Sequence, residues 1–445
     1  MDTTRIIGPG DTLPFPNSPF GVAGPAGDAT VIGMAPQALA LTAIPGNQYA
    51  HSPRNSVEHA LLQVDATASM AGRRSPVNLC LVIDRSGSME GEPLEYVKRA
   101  CGHVVDLLDQ NDILSVVTFE ERVDVVMPAR RVLNKALIKE HLSRIQPGNT
   151  TNLYDGLVAG ASQVASVRAE GYVNRVVVLT DGEPTAGVKD YPSIVGCAAE
   201  QRSRGVSITA LGFGPEYNEE LLVGIARRGG GNYHYIARPE LIPEVFRGEL
   251  EQLLTLVARN VRLRLILSRW VEIRQVYGQQ PALGNRTAEL SLPDLERGAS
   301  QRTLVELGLA RRPAGTYRVA RVEVNYDDCI TGAFNQSAAA DLCLSFVADP
   351  NLVLTGSNGT VQRELEVARA SRNLERTMMG LKTQQMTAGM AMADLQRTQL
   401  LLQQTGRTGQ AAELGQAIQS LRAGTGDVEK TLIGTMMDID LGKRK

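Results

Sequence analysis

No run of about 20 uninterrupted apolar positions occurs anywhere in the 445 residues, so no membrane-spanning helix is expected. The opening residues, Met-Asp-Thr-Thr-Arg-Ile-Ile-Gly-Pro-Gly, lack the basic start and apolar core of a secretory leader. An excess of one charge is missing as well. The 46 basic residues meet 48 acidic ones, and a net charge of −2 makes no electrostatic case for nucleic acid or an acidic membrane. Enzyme signatures are also absent: there is no HExxH, no GxSxG and no Gly-x4-Gly-Lys-Ser/Thr phosphate loop. Gly212-Phe213-Gly214 follows a strand-like run but lacks the third glycine of a dinucleotide fingerprint. Cysteine is scarce and odd in number, five in all, with no CxxC and no Cys/His metal spacing. Cys80, Cys101 and Cys197 fall in apolar periodic runs and read as small buried side chains. Cys329 and Cys343 sit on strand-like runs, where a disulfide is the lesser alternative. That balance favours a reducing, cytoplasmic setting.

The length allows two or three domains, and a hydrophobic content of 43% supports proper cores. Residues 1–35 are rich in Gly and Pro and read as an extended arm. Two strand-like runs follow in 36–74, at 37–44 and 58–66, the second alternating as Ala60, Leu62, Val64. Over 75–256 strands alternate with helices, which implies βαβ units and a mostly parallel sheet with a hairpin at Ile113–Phe119 and Val123–Val126. Past residue 257 the pattern changes to strict alternation (Val261, Leu263, Leu265, Leu267), and more short strands follow to about 350. This predicts an antiparallel β-sandwich, completed by the two early strands, so that the α/β domain is an insertion within it. Residues 360–445 read as two or three helices with a basic tail, Lys443-Arg444-Lys445. Val367, Ala370, Leu374, Met378 and Leu381 form an apolar stripe there, continued by Met386, Met390 and Ala393. The five methionines at 378, 379, 386, 390 and 392 are expected to pack a helical hairpin rather than form an adaptable binding surface.

The most telling stretch is Asp84-Arg85-Ser86-Gly87-Ser88, at the end of the apolar run 77–83. One carboxylate and two hydroxyls at alternate positions are hard oxygen ligands, suited to Mg²⁺, Ca²⁺ or Mn²⁺ rather than zinc or copper. Alone, the same residues would serve as a helix cap, with Pro93 in the first turn. Two later segments argue for more. Gly148-Asn149-Thr150-Thr151-Asn152 places hydroxyls in a loop before a helix, and the strand-like run 176–180 ends on Asp181-Gly182. In open α/β sheets ligands bind outside the carboxyl ends of the strands, where the strand order reverses.

With these residues the chain resembles the von Willebrand factor type A (vWA) domain and its metal-ion-dependent adhesion site over residues 75–256. That family's motif is Asp-x-Ser-x-Ser, a loop Thr and a strand-end Asp, matched here by Asp84, Ser86, Ser88, Thr151 and Asp181. Thr150 is the alternative to Thr151, and the doubled Thr departs from the usual Gly-x-Thr. The predicted fold class is therefore α/β: a Rossmann-like vWA domain, mostly parallel with one antiparallel edge strand, inserted in an antiparallel β-sandwich and followed by helices. The layout also resembles bacterial proteins similar to the inter-α-trypsin-inhibitor heavy chains. The resemblance implies bound Mg²⁺, with Mn²⁺ and Ca²⁺ as alternatives, and one metal position left for a Glu or Asp of a partner protein. Together with the missing catalytic motifs and the cysteine usage, the expectation is a non-enzymatic adaptor in the cytoplasm of a bacterium; the resemblance adds an AAA+ ATPase of the MoxR type as a candidate partner, and a homo-oligomer is left open. A secreted or surface adhesin using the same site is the alternative, and a metal-assisted hydrolase the third reading.

Overall fold

The computed structural model describes residues 38–67, 74–167, 171–214, 217–383, 385–423 and 428–440. The arm expected over 1–35, the helix break expected at Gly424 and Gly426, and the tail at 443–445 lie outside these residues. The described chain begins with strands β1 (Leu39–Pro45), β2 (Tyr49–His51) and β3 (Ser56–Ala66). An α/β unit follows: β4 (Val77–Asp84), α1 (Glu92–Leu107), β5 (Ile113–Phe119), β6 (Val123–Arg131), α2 (Lys135–Ser143), α3 (Leu153–Ser166), β7 (Val173–Thr180), α4 (Tyr191–Ser203), β8 (Ser207–Phe213), α5 (Glu219–Gly229), β9 (Gly230–Ile236) and α6 (Ile242–Leu254). Then come β10 (Leu256–Leu267), β11 (Val271–Val276), β12 (Ala282–Gly284), β13 (Thr287–Ser291), β14 (Leu295–Glu296), β15 (Ser300–Leu309), β16 (Gly315–Asp328) and β17 (Gln336–Val347). Helices α7 (Pro350–Thr355), α8 (Gly359–Lys382), α9 (Ala388–Gln404), α10 (Thr408–Ala423) and α11 (Val428–Asp440) complete it.

The α/β sheet has the order β6-β5-β4-β7-β8-β9, parallel except for β6 at its edge. Its central strand shows why both faces are covered. Leu79, Leu81 and Ile83 of β4 pack with Leu94 and Val97 of α1 and Phe246 and Leu250 of α6. The alternate residues Cys80 and Val82 pack with Leu157 and Val164 of α3. Each such aliphatic side chain contributes about 1.5–3 kcal/mol by leaving water, so a strand buried on both faces is held strongly. Helix α3 presses close because it carries glycine where it crosses the sheet. A Cβ on Gly160 would lie 2.4 Å from Val82 Cγ2, and one on Gly156 would lie 2.9 Å from the Phe119 ring.

Two further sheets face each other, β1-β3-β15-β11 and β12-β13-β10-β16-β17-β2, with β14 paired to β10. All their pairings are antiparallel except β17 with β2. Leu62, Val64, Val305 and Leu307 of one sheet meet Leu263, Leu265, Val322 and Val324 of the other. The outer face of the first sheet, at Leu61 and Leu304, is covered by Val361 and Leu365 of α8. Sequence patterning missed β2, β12 and β14, which have three, three and two residues, too few to show a period.

The α/β unit rests on the sandwich by the end of its sheet opposite the carboxyl ends of the strands. Arg175, early in β7, pairs with Asp294 at 3.0 Å. Glu249 of α6 lies almost wholly buried beneath, accepting from Thr209 Oγ1 at 2.5 Å and Asn232 Nδ2 at 2.8 Å and meeting His234 Nε2 at 3.1 Å. Burial opposes ionisation of Glu249, yet the His234 and Thr209 contacts and the Arg175 charge hold its carboxyl well below the usual range.

The C-terminal region corrects the expected helix count. Among the described residues four long helices, not two or three, share a core of Val367, Leu374, Leu395, Leu402, Leu414, Ile418 and Leu432. The expected stripe does not continue past residue 382, because the chain reverses before α9, whose N-cap Thr387 accepts from Met390 N. The face of α9 that packs is Ala391, Leu395, Thr398 and Leu402, whereas Met390 is 61% exposed and Ala393 points outward. Met379 is likewise exposed, while Met378 and Met392 pack against the bundle. The five cysteines are all free thiols, with Cys343 exposed and the other four buried, so Cys329 and Cys343 do not form a disulfide.

Candidate metal centre

Strands β4 and β7 are neighbours, and the chain leaves them toward opposite edges of the sheet. Their carboxyl ends therefore flank the crevice where a ligand would sit. Asp84 is the last residue of β4, and Asp181 follows the last residue of β7. Between Asp84 and α1 the chain makes a tight turn. Asp84 Oδ1 accepts from Ser86 N at 2.8 Å, and Met89 N donates to the Ser86 carbonyl at 3.0 Å. Met89 is fully buried and anchors the turn, leaving Ser88 exposed at the mouth.

The side chains converge. Ser88 Oγ donates to Asp181 Oδ1 at 2.9 Å, Ser86 Oγ reaches the same oxygen at 3.4 Å, and the two serine oxygens are 3.2 Å apart. The third segment is tied to both others through its backbone. Gly148 N donates to the Arg85 carbonyl at 2.5 Å, and Gly87 N donates to the Asn149 carbonyl at 3.4 Å. Thr151 N donates to Thr185 Oγ1 at 2.9 Å, while the Thr151 carbonyl accepts from Thr185 N and Ala186 N. The Thr151 hydroxyl lies against Gly182, 3.6 Å from where a Cβ would stand there. Gly148 has no room for a side chain, since its Cβ would come within 2.7 Å of Glu120 Cγ. Asn152 caps α3 and donates to Asp155 Oδ2 at 2.8 Å, which fixes the helix entry beside Thr151.

Burial deepens from the mouth inward: Asp84 is fully buried, and Ser86, Thr151 and Asp181 nearly so. Burial pushes the Asp84 carboxyl up to about 6. Hydrogen bonds from Thr180 and Ser86 oppose that rise, and the Asp181 charge adds to it. Asp84 makes no ion pair among the described residues. Two carboxylates and three hydroxyls on three segments form an all-oxygen donor set, and a divalent cation supplies the positive charge that a buried acid beside a second acid lacks. The residues present thus fit a hard cation. Thr150 Oγ1 is buried without a hydrogen-bond partner among the described residues, so the second hydroxyl of the pair is also available.

Some supporting residues escaped the sequence reading. Thr180 donates to Asp84 Oδ2 at 2.5 Å, and its place just before Asp181 was the available signal. Thr185 holds the Thr151 backbone from a stretch with no pattern of its own. Arg85 turns away from the crevice to Asp124 at 2.9 Å and Glu120 at 3.3 Å, bracing the turn against the β5–β6 hairpin.

The sequence model of the von Willebrand factor type A domain matches residues 78–247. An uncharacterised protein of Synechocystis sp. is 31% identical over 284 residues, which cover 62% of this chain and 67% of that one. Human inter-alpha-trypsin inhibitor heavy chain H4 is 30% identical over 166 residues, 35% of this chain but only 18% of its own length. The likeness to the heavy chains is thus partial. Among solved structures, a von Willebrand factor type A protein from Catenulispora acidiphila superposes with a TM-score of 0.70 at 19% identity. It covers 84% of this chain and 88% of its own, so the fold is shared well beyond the α/β unit.

Proposed function

We propose that this chain, which belongs to the von Willebrand factor type A domain family, is a non-enzymatic adaptor whose grip on a partner depends on a metal. Domains of this kind usually mediate protein–protein interaction. The observation that carries the finer reading is the convergence of Ser86, Ser88 and Asp181 beside buried Asp84, linked by hydrogen bonds of 2.8 to 3.4 Å. Asp84, Ser86, Ser88, Asp181 and Thr151 would hold Mg²⁺, Mn²⁺ or Ca²⁺, with Thr150 as the alternative hydroxyl. When bound, the cation offers an electrophilic position to a carboxylate, because three of its protein donors are neutral. A Glu or Asp of a partner protein is the matching group, and exposed Ser88 marks the side from which it arrives.

The setting we infer is cytoplasmic, with an AAA+ ATPase of the MoxR type as the candidate partner. No helix among the described residues is long and apolar enough to cross a membrane. The buried free thiols are at ease in a reducing compartment. The test is capture of partners from the source cell by the full chain, with Mg²⁺ and after metal removal, using wild type and Asp181→Ala. We expect an acidic-surfaced protein retained only by wild type with metal. Retention by both proteins in both buffers would move the interface away from the metal.

A further inference from the structure

A large cavity lies away from the metal centre, where the α/β unit, both sandwich sheets and the helical bundle meet. Its volume is about 1140 Å³, enough for a nucleotide-sized molecule. Its walls carry seven arginines against four carboxylates and no lysine, an excess of three positive charges. Two of those arginines, Arg302 and Arg407, share the single carboxylate of Glu364. Arg262 reaches Glu289 only at 3.9 Å, and Arg372 lies over the Tyr277 ring.

Arg202 is the most informative of them. Its guanidinium lies over Gly230, where a Cβ would fall 2.6 Å from Cζ, and φ at Gly230 is +72°. Its Nη2 donates to the Leu292 carbonyl at 3.0 Å, and it forms no ion pair with a carboxylate among the described residues. Burial disfavours its charged form, the Asp294 charge restores part of this, and the Arg175 and Arg262 charges oppose it again. A half-buried cation facing other cations is a cost that an anion in the cavity removes.

We propose that this junction binds a small polyanion carrying two or more phosphoryl groups. The cations of the lining are all guanidiniums, and this favours that chemistry. Arginine forks presented from separate elements can each meet a different oxygen of a terminal phosphoryl group, which offers three such oxygens where a carboxylate offers two. Anion binding here would clamp the three parts of the molecule together at the end away from the metal.

The experiment is calorimetric titration of the full chain with inorganic tripolyphosphate in resin-treated, metal-free buffer, with citrate as the carboxylate comparison. Tripolyphosphate should bind one to one, about tenfold or more weaker to Arg202→Gln and about threefold weaker to Arg228→Glu. Arg228 is exposed at the rim, so its replacement tests the site without touching a packed side chain. Absence of binding, equal affinity in the Arg228→Glu variant, or citrate binding as tightly as tripolyphosphate would each overturn the proposal.

Discussion

Glu364 offers the most demanding stability test. Its carboxylate, on α8, meets Arg302 of β15 through Oε1 and Arg407 of the α9–α10 turn through Oε2, each at 2.5 Å. Side-chain exposures are 7% for Glu364, 12% for Arg302 and 2% for Arg407. One buried anion therefore serves two buried cations on different parts of the molecule. Glu364→Gln keeps the shape and removes the charge that Arg302 and Arg407 share. Breaking a buried pair from one side costs about 3–5 kcal/mol, because the remaining charge stays desolvated. That is a large fraction of the roughly 5–15 kcal/mol that holds a typical domain folded. We expect urea unfolding to shift by this amount, with the bundle's transition separating from that of the sandwich. Removing Arg302 as well, in Glu364→Gln/Arg302→Gln, should recover about 1 kcal/mol or more, the mark of a penalty owed to a stranded charge. A loss below about 1 kcal/mol, the scale of an exposed ion pair, would refute the reasoning.

Metal linkage is the test of the crevice itself: Mg²⁺ at 100 times its dissociation constant should stabilise wild type by about 2.7 kcal/mol, raising Tm by several degrees, and leave Asp84→Ala unmoved. Equal shifts in the two proteins would remove the site. The choice of hydroxyl is open to the same titration, with Thr151→Ala expected to weaken Mg²⁺ binding at least tenfold and Thr150→Ala by much less; the reverse order would transfer the role. Glu58, half-buried on β3, has its carboxyl pushed up to about 7 by burial. Its protonated form therefore contributes stability that is present below about pH 4.5 and lost as pH rises through 7, so Glu58→Gln should be about 2 kcal/mol more stable than wild type at pH 8 and equal to it at pH 4. A parallel pair of stability–pH curves would contradict this. Gly160→Ala should cost about 1–3 kcal/mol by forcing α3 off Val82 and should weaken metal binding through the displaced Thr151 loop; a neutral melting curve would show that the contact yields freely.

The α/β fold was legible because each of its strands carries its own local record. Val77–Ile83 is a short apolar run closed by an acid, and α1 shows its face in Leu94, Val97, Cys101 and Val104. The segments of the crevice were readable for the same reason: Asp84, Thr151 and Asp181 each follow or precede a strongly patterned element. What stayed hidden depends on partners distant in sequence. The turn before α9 carries no Gly or Pro, and Met386 and Met390 prolong the apparent stripe across it. The Arg302–Glu364–Arg407 cluster joins residues 62 and 43 positions apart on separate elements, and the arginine-lined cavity draws on residues from Leu61 to Asp440. No periodicity records such meetings, since they arise only when three separately patterned parts are packed together.

The pairing of β3 with β15 has a consequence for synthesis. Ser56–Asp65 finds its partner only at Ser300–Leu309, with residues 67–299 made in between. At about 5–20 residues per second a ribosome needs roughly 10–50 s to cover that stretch. Throughout that interval the β1–β3 pair has one unmet edge, and Leu61, Leu62 and Val64 have nothing to pack on. Those few apolar residues would form an early, sticky template until the distant strand is made. A chaperone that binds short apolar strands would find its opening in this window, before residue 300 is made.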